Sequence, residues 1–391
     1  MSLTPLRLGY LPLTDAAPVI IAQELGFAAE EGLTLDLIRA TSWAQSRDLL
    51  GTGAIDAAHM LVPMPIAQAL GFGPACPAFD LVMILSQGGQ AIAVSGAIED
   101  ALHRHGHDFD FHDPLAARDA LAAVWDRPLR VGVPFPFSTQ IELVLRWLDG
   151  TAPGQALSIH TVPPPRMTDA MTTGEVDAFC VGEPWASHAV EAGAGALLLP
   201  GRAIWAAAPE KGLVLTRDFI DARPDLTGRL MRAVWRAARW LDRPGNRGTA
   251  AEILSRADYL NLPPELTERG LLGQIHVRAT GELRYAPDFI RFHDGAANFP
   301  WRSIAAMLAR RLALQHGLDP APAMARAAEC FRTDVYRRHL RGIGADLPGA
   351  SAKVEGMMTA PTLAPAETGR MILGPDAFFD GAIFDPAFPL R

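Results

Sequence analysis

Four short loops in the first 215 residues carry side chains suited to holding a small polar or charged molecule. The first, ATSWA at 40–44, places Thr41, Ser42 and Trp43 where an apolar strand gives way to a helix. A hydroxyl there caps the helix, and the free N–H groups behind it favour an anion. Trp43 can lay its indole on a flat ligand or simply fill the core. The second loop, FPFSTQ at 135–140, repeats this setting with the hydroxyls of Ser138 and Thr139 and the amide of Gln140. Capping alone would account for Ser138. In the third, FCVGEPW at 179–185, Gly182 has no Cβ to keep a ligand from the backbone, and Pro184 opens the next helix. In the fourth, APEKGLVL at 208–215, Lys211 sits directly before an apolar strand, a placement that suits a counter-ion in a cleft. The usual fate of a single lysine is a solvated surface.

Such loops meet only if strands and helices alternate. The chain reads as strands at 6–11, 33–38, 57–61 and 79–85, separated by helices at 18–27, 43–50 and 63–70. After a helical or irregular insertion near 99–128, strands at 129–133, 157–161 and 176–181 alternate with helices at 139–148 and 166–173. That order implies an α/β fold of mostly parallel sheets, with ligands bound at the carboxyl ends of the strands. A short repeat adds to this. GAIDA at 53–57 and GEVDA at 174–178 lie 121 residues apart, and each leads into an apolar strand and then a proline, Pro63 or Pro184. Two similar lobes with a cleft between them are therefore expected.

From about residue 218 the pattern turns helical. Residues 224–241 put Leu226, Leu230, Met231, Val234 and Ala238 on one face, with Arg229, Arg232, Arg236 and Arg239 beyond it as a solvated stripe. Helices follow at 250–254, 303–316 and 321–336, and a Pro-, Gly- and Ala-rich tail from 345 is expected to wrap a folded surface. The expected division is a first lobe of 1–90 with 201–222, a second of 91–200, and a helical extension, 223–391, packed on the first.

Composition narrows the classes. With 391 residues the chain exceeds one compact core, and 49% hydrophobic with 20% charged residues excludes wholesale disorder. The 35 glycines and 32 prolines imply many turns. A net charge of −8 and a pI near 5.8 argue against direct nucleic-acid binding. Cys76, Cys180 and Cys330 form neither a disulfide framework nor a zinc knuckle. His103, His105, His107 and His112 invite a metal hypothesis but lack a fixed ligand spacing, so no metal or cofactor is expected. No apolar run approaches the roughly 18 residues of a membrane span. The opening MSLTPLRLGYLP has no basic region or cleavage site, which points to the cytoplasm, or to the periplasm if a leader has been removed.

Together with LPLTDAAP at 11–18, VPPP at 162–165 and DLPGASAKVEG at 346–356, the motifs at Ser42 and Trp43, 179–185 and 209–211 carry a family likeness. The chain resembles the nitrate- and bicarbonate-binding proteins of bacterial ABC importers over most of its length, FCVGEPW being the most specific piece. The resemblance implies a two-lobed, periplasmic-binding-protein-like (type II) fold with a helical extension. It also implies a pocket built from Trp43, Gln90, Gly182 and Lys211, to which the second loop adds Ser138, Thr139 and Gln140. Gln140 departs from the pattern, because nitrate-type members usually place a histidine there. A glutamine amide donates without charge, which leaves nitrate, nitrite and bicarbonate open. Lys211 favours a full-time anion, whereas bicarbonate, with a proton to donate, would be better served by a carboxylate such as Glu183. Nitrate or nitrite is the expected ligand.

Without a leader, the chain looks like the cytoplasmic sensor branch, which holds an RNA-binding, ANTAR-type antiterminator and so regulates nitrate assimilation. Two alternatives stay open. One is an importer's substrate-binding subunit with its leader removed. The other is an enzyme on the same scaffold, for which the four loops offer no paired carboxylates and no Cys–His unit.

Overall fold

A computed structural model describes residues 3–150 and 156–388. The chain opens with β1 (Thr4–Tyr10), α1 (Ala17–Glu24), α2 (Phe27–Glu30), β2 (Leu33–Arg39), α3 (Trp43–Gly51), β3 (Ala57–Leu61), α4 (Pro63–Ala69) and β4 (Phe79–Gly88). It then crosses into β5 (Gln90–Ser95), α5 (Gly96–His105), α6 (Pro114–Val124), β6 (Leu129–Val133), α7 (Thr139–Trp147) and β7 (Leu157–Thr161). Next come α8 (Met167–Thr172), β8 (Ala178–Gly182), α9 (Trp185–Glu191) and β9 (Gly195–Pro200). The chain returns through α10 (Gly201–Ile204) and β10 (Pro209–Thr216).

Two sheets result, and they repeat one plan. In the first, β1 runs parallel to β2 on one side and β3 on the other, and β10 adds antiparallel to β3. In the second, β6 runs parallel to β7 and β8, and β5 adds antiparallel to β8. In each case the antiparallel strand enters directly from a crossover.

The repeated Gly-x-x-Asp motif has a physical reason. Gly53 and Gly174 both hold φ of +72°, the left-handed conformation that favours glycine after a helix. Three residues on, Asp56 accepts from the Arg7 backbone N–H at 2.8 Å and its Nη2 at 2.9 Å, and Asp177 does the same for Arg130 at 3.0 and 2.7 Å. Each arginine also reaches back to the glycine carbonyl. One bidentate clamp thus ties the middle strand of each parallel trio, β1 or β6, to the turn before its parallel neighbour, β3 or β8.

The remainder is not purely helical. After α11 (Arg217–Ala222), α12 (Pro224–Leu241), α13 (Arg247–Leu254) and α14 (Pro264–Leu272) come β11 (Gln274–His276), β12 (Leu283–Tyr285) and β13 (Ile290–Arg291). β13 adds to the edge of the first sheet beside β4. Then follow α15 (Arg302–Gln315), α16 (Pro320–Cys330), α17 (Thr333–Leu340) and a hairpin of β14 (Thr362–Pro365) with β15 (Arg370–Leu373).

The helix expected over 321–336 is broken at Phe331 and Arg332. There the Arg332 N–H donates to the Leu81 carbonyl at 2.9 Å and its guanidinium pairs with buried Asp80, so the edge of β4 captures the chain. Of the arginine stripe on α12, Arg239 is exposed as expected, but the other three arginines do not form a solvated face. Arg229 donates to the carbonyls of Glu31 and Gly32, while Arg232 and Arg236 pair with Glu31 and Glu30. These three arginines clamp the carboxyl end of α2, where cations are favoured.

Candidate functional site

Alternate residues of a strand point to opposite faces, so Glu210 and Lys211 would ordinarily diverge. The β10–β4 ladder slips here: Pro209 lies opposite Gln87, Lys211 opposite Ser86 and Gly212 opposite Ile84. That irregularity re-aims the strand and lets both side chains meet. Lys211 Nζ donates to Glu210 and, at 2.7 Å, to Asp15 on the loop before α1. The other Asp15 oxygen lies 2.9 Å from His59 Nε2 on β3. Lys211 Nζ also stands 5.2 Å from the centre of the Trp43 ring, which tilts against His59. All of these side chains are buried.

The second lobe supplies the opposite wall. At the first turn of α7, the Gln140 amide donates to Glu210 and Thr139 Oγ1 donates to the Pro209 carbonyl at 2.6 Å. Two further bonds cross the cleft, from Trp185 Nε1 to the Pro12 carbonyl and from the Thr14 N–H to the Glu183 carbonyl, both 2.8 Å. A Cβ on Gly182 would lie 3.5 Å from an Asp15 oxygen and 3.8 Å from Glu210, so its backbone borders the cluster. Gln90 is the ladder partner of Gly182. At the rim, Arg39, Thr41, Pro165 and Arg166 line a cavity of about 420 Å³.

Several polar atoms in this region make no hydrogen bond among the described residues: both amide atoms of Gln90, Trp43 Nε1, His59 Nδ1, Gln140 Oε1 and the second oxygen of Glu210. Leaving such a group buried and unpaired costs about 1–3 kcal/mol. A fold that keeps several of them together has donors and acceptors in reserve for a molecule that is not part of the chain.

The charges are strongly coupled. Burial works against the Lys211 ammonium, but Asp15 and Glu210 outweigh it and hold its pKa above the ordinary lysine value. Burial likewise opposes the Asp15 carboxylate, yet Lys211 and His59 keep it below the usual range. Glu210 goes the other way: burial raises it, Lys211 resists, Asp15 adds to the rise, and the balance lies above the ordinary value. Burial holds His59 below its usual value despite Asp15. With Asp15 ionised, His59 Nε2 carries the proton and Nδ1 presents a bare lone pair.

Trp43, Gln90, Thr139, Gln140, Gly182 and Lys211 thus lie around one buried region. Ser138 lies at its edge, and its Oγ caps α7 by accepting from the Ile141 N–H. Ser42 caps α3 by accepting from the Gln45 N–H at 3.2 Å. Two expectations need correction. Lys211 is not a lone counter-ion, because two carboxylates already share it. Glu183 does not face the cluster; its side chain turns to the Ser187 N–H at 3.1 Å and packs at Gly270, and burial pushes its pKa up to about 7. The carboxylates at the site are Asp15 and Glu210. His103 and His107 pack on Phe109, with ring centres 4.7 and 4.9 Å apart, and form no ligand cluster among the described residues.

Asp15, His59 and Glu210 were not singled out as site residues. Asp15 and Glu210 lie inside stretches that carry the family likeness, and that was their only signal.

A family model described as "NMT1-like family" matches residues 2–255. The chain belongs to the NMT1-like family. It is 30% identical over 400 residues to the nitrate/nitrite binding protein NrtA of Nostoc sp. (strain PCC 7120), covering 99% of this chain and 84% of that protein. It is 27% identical to the bicarbonate-binding protein CmpA of Synechococcus sp. (strain PCC 6301), covering 98% and 84%. The crystal structure of the periplasmic nitrate-binding protein NrtA from Synechocystis PCC 6803 matches with a TM-score of 0.82 at 27% identity, covering 99% of this chain and 97% of that one. The architecture is therefore the two-lobed α/β periplasmic-binding-protein fold, and these relatives are named as binding proteins. Among the described residues no helix is long and apolar enough to cross a membrane.

Proposed function

We propose that this chain is a receptor, not an enzyme, that closes two lobes over a small planar oxyanion, nitrate or nitrite, with bicarbonate ranked behind. The lobes are 1–90 with 201–222, and 91–200, and they move as rigid bodies about two crossovers. One crossover holds Gly88 and Gly89, at φ of +70° and +83°, and the other begins at Gly201. The anion lies on the face of Trp43 and takes hydrogen bonds from Gln90, Thr139, Gln140 and the backbone at Gly182, with Lys211 beside it. The observation that carries this reading is Gln90, a fully buried amide with neither atom bonded among the described residues. Relatives that bind nitrate, nitrite or bicarbonate support the same class of ligand. Against catalysis stands the Cys180 thiol, which burial keeps well above its ordinary pKa and hence unreactive.

Closure on the anion is, in our reading, a signal. The α7 helix that presents Gln140 also carries Glu142, paired with Arg311 of α15 at 2.7 Å, and Arg146, paired with Asp380 of the tail at 3.0 Å. A protein docked on the extension would sense lobe position through these pairs. The family likeness makes an ANTAR-type antiterminator that regulates nitrate assimilation, held in the cytoplasm, the partner of choice. A near-complete switch needs a ligand preference between the open and closed states of about 5 kcal/mol. The other reading, an importer's binding subunit, has the relatives' names on its side.

Calorimetric titration with nitrate, nitrite and bicarbonate tests the receptor. Saturable binding of nitrate or nitrite to one site supports it, and binding of none of the three removes it. Co-purification of an antiterminator only without the anion supports the sensor, whereas recovery of the native protein from the periplasm with a permease supports the importer.

A further inference from the structure

Lys211 has one positive charge, and two carboxylates already share it. The groups around Glu210 come from every side of the cluster. The loop before α1 brings Asp15, β3 brings neutral His59, β10 brings Lys211, and α7 brings the uncharged amide of Gln140. The β8 strand brings Cys180, whose thiol stays protonated, and Glu183 beyond it turns away toward Ser187. With both carboxylates ionised the cluster carries net negative charge before any ligand arrives. A full-time anion placed beside Lys211 would be the third negative group around a single ammonium, in a region excluded from water, where such repulsion is poorly screened.

The two carboxylates are not equivalent. Both Asp15 oxygens are engaged, one by Lys211 and one by His59. Glu210 has one oxygen contacted by Lys211 and Gln140, while its other oxygen is buried and unbonded among the described residues. A proton placed on that free oxygen breaks no existing bond and turns a bare acceptor into a donor.

We propose that the anion enters together with one proton, which is taken from solvent and held on Glu210. The proton leaves a buffer or water molecule and forms an O–H bond at the free Glu210 oxygen, so the site gains a proton as it gains the negative charge and its net charge is unchanged. The protonated Glu210 then donates to the anion, while Lys211 stays bound to Asp15. This inference rests on the receptor reading and deepens it: the ligand class becomes an anion without a proton of its own, bound with proton uptake.

The test is calorimetric titration of the full chain with nitrate, and in parallel nitrite, between pH 6 and 9 in buffers of different ionisation enthalpy. The buffer dependence of the enthalpy counts the protons taken up. Uptake should approach one proton at the alkaline end, and affinity should fall there by up to about tenfold per pH unit. Glu210→Gln, which keeps the shape and supplies a neutral donor, should flatten both dependences, whereas Glu183→Gln should keep them. Binding that is indifferent to pH and buffer overturns the inference alone. So does uptake that survives in Glu210→Gln and disappears in His59→Asn, which would put the proton on the imidazole. Bicarbonate binding without proton uptake while nitrate and nitrite fail to bind also overturns it, because the ligand's own proton would then fill that place. If none of the three anions binds, the receptor reading falls and takes the inference with it.

Discussion

Replacing Gln90 by methionine separates binding from folding. Gln90 lies on β5 directly after the Gly88–Gly89 crossover, is fully buried, and has neither amide atom bonded among the described residues. Methionine is unbranched and close to it in length, so it suits the narrow space beside Gly201, where a Cβ would already approach Gln90 Cγ to 2.8 Å. The substitution deletes a desolvated amide and no bond within the described chain. Stability should hold or rise, by up to about 2 kcal/mol on the scale of an unpaired buried polar group. The anion, in contrast, loses a hydrogen bond to a charged partner, worth about 1.5–3 kcal/mol, or roughly a 10- to 150-fold weaker affinity. Denaturant unfolding with an unchanged slope measures the first quantity, and calorimetry with nitrate measures the second. A stability loss above about 1 kcal/mol would mean that Gln90 serves the fold. Unchanged affinity would mean that it does not meet the ligand. Either result would remove Gln90 from the anion site as described.

Other expectations follow from the same structure. Lys211→Met should cost about 3–5 kcal/mol in denaturant unfolding, because it strands two buried carboxylates, and the loss should shrink in a Glu210→Gln background. Glu183 is pushed up to about 7 from an ordinary 4.5, so its destabilising contribution is fully present above pH 7 and disappears as pH falls to 4.5. At about 1.4 kcal/mol per pH unit, wild type should gain up to about 3 kcal/mol relative to Glu183→Gln between pH 8 and pH 4.5, read from unfolding curves at the two pH values. Asp56→Ala and Asp177→Ala should each cost about 1–3 kcal/mol, and by similar amounts, since each removes the same arginine clamp from one lobe; a large inequality in their unfolding midpoints would break the equivalence of the two lobes.

What the sequence made legible was local. Strand-to-helix loops show as apolar runs ending in Ser, Thr or Pro, and the Gly-x-x-Asp turns show because a glycine at positive φ and a capping carboxylate lie three residues apart. The arginines that complete those turns were missed, because Arg7 and Arg130 sit 49 and 47 residues before their aspartates. The charge cluster was hidden for the same reason. Asp15 meets His59 across 44 residues and Lys211 across 196. Strand alternation also argued against Glu210 facing the same way as Lys211, and only the slipped ladder of β10 on β4 reverses that. The break at Phe331 and Arg332 is tertiary in origin, since helical propensity there yields to an ion pair with buried Asp80 and a backbone bond to β4.

The position of the bound anion decides between a receptor site and a purely structural cluster. A crystal structure grown with nitrate should show a planar molecule between the lobes, stacked on the Trp43 indole and within hydrogen-bond distance of Gln90 Nε2. It should also lie beside Lys211 and touch the second lobe at Gln140 or the backbone of Gly182. Nitrate bound elsewhere, with Gln90 and Trp43 Nε1 satisfied by protein groups, would contradict it.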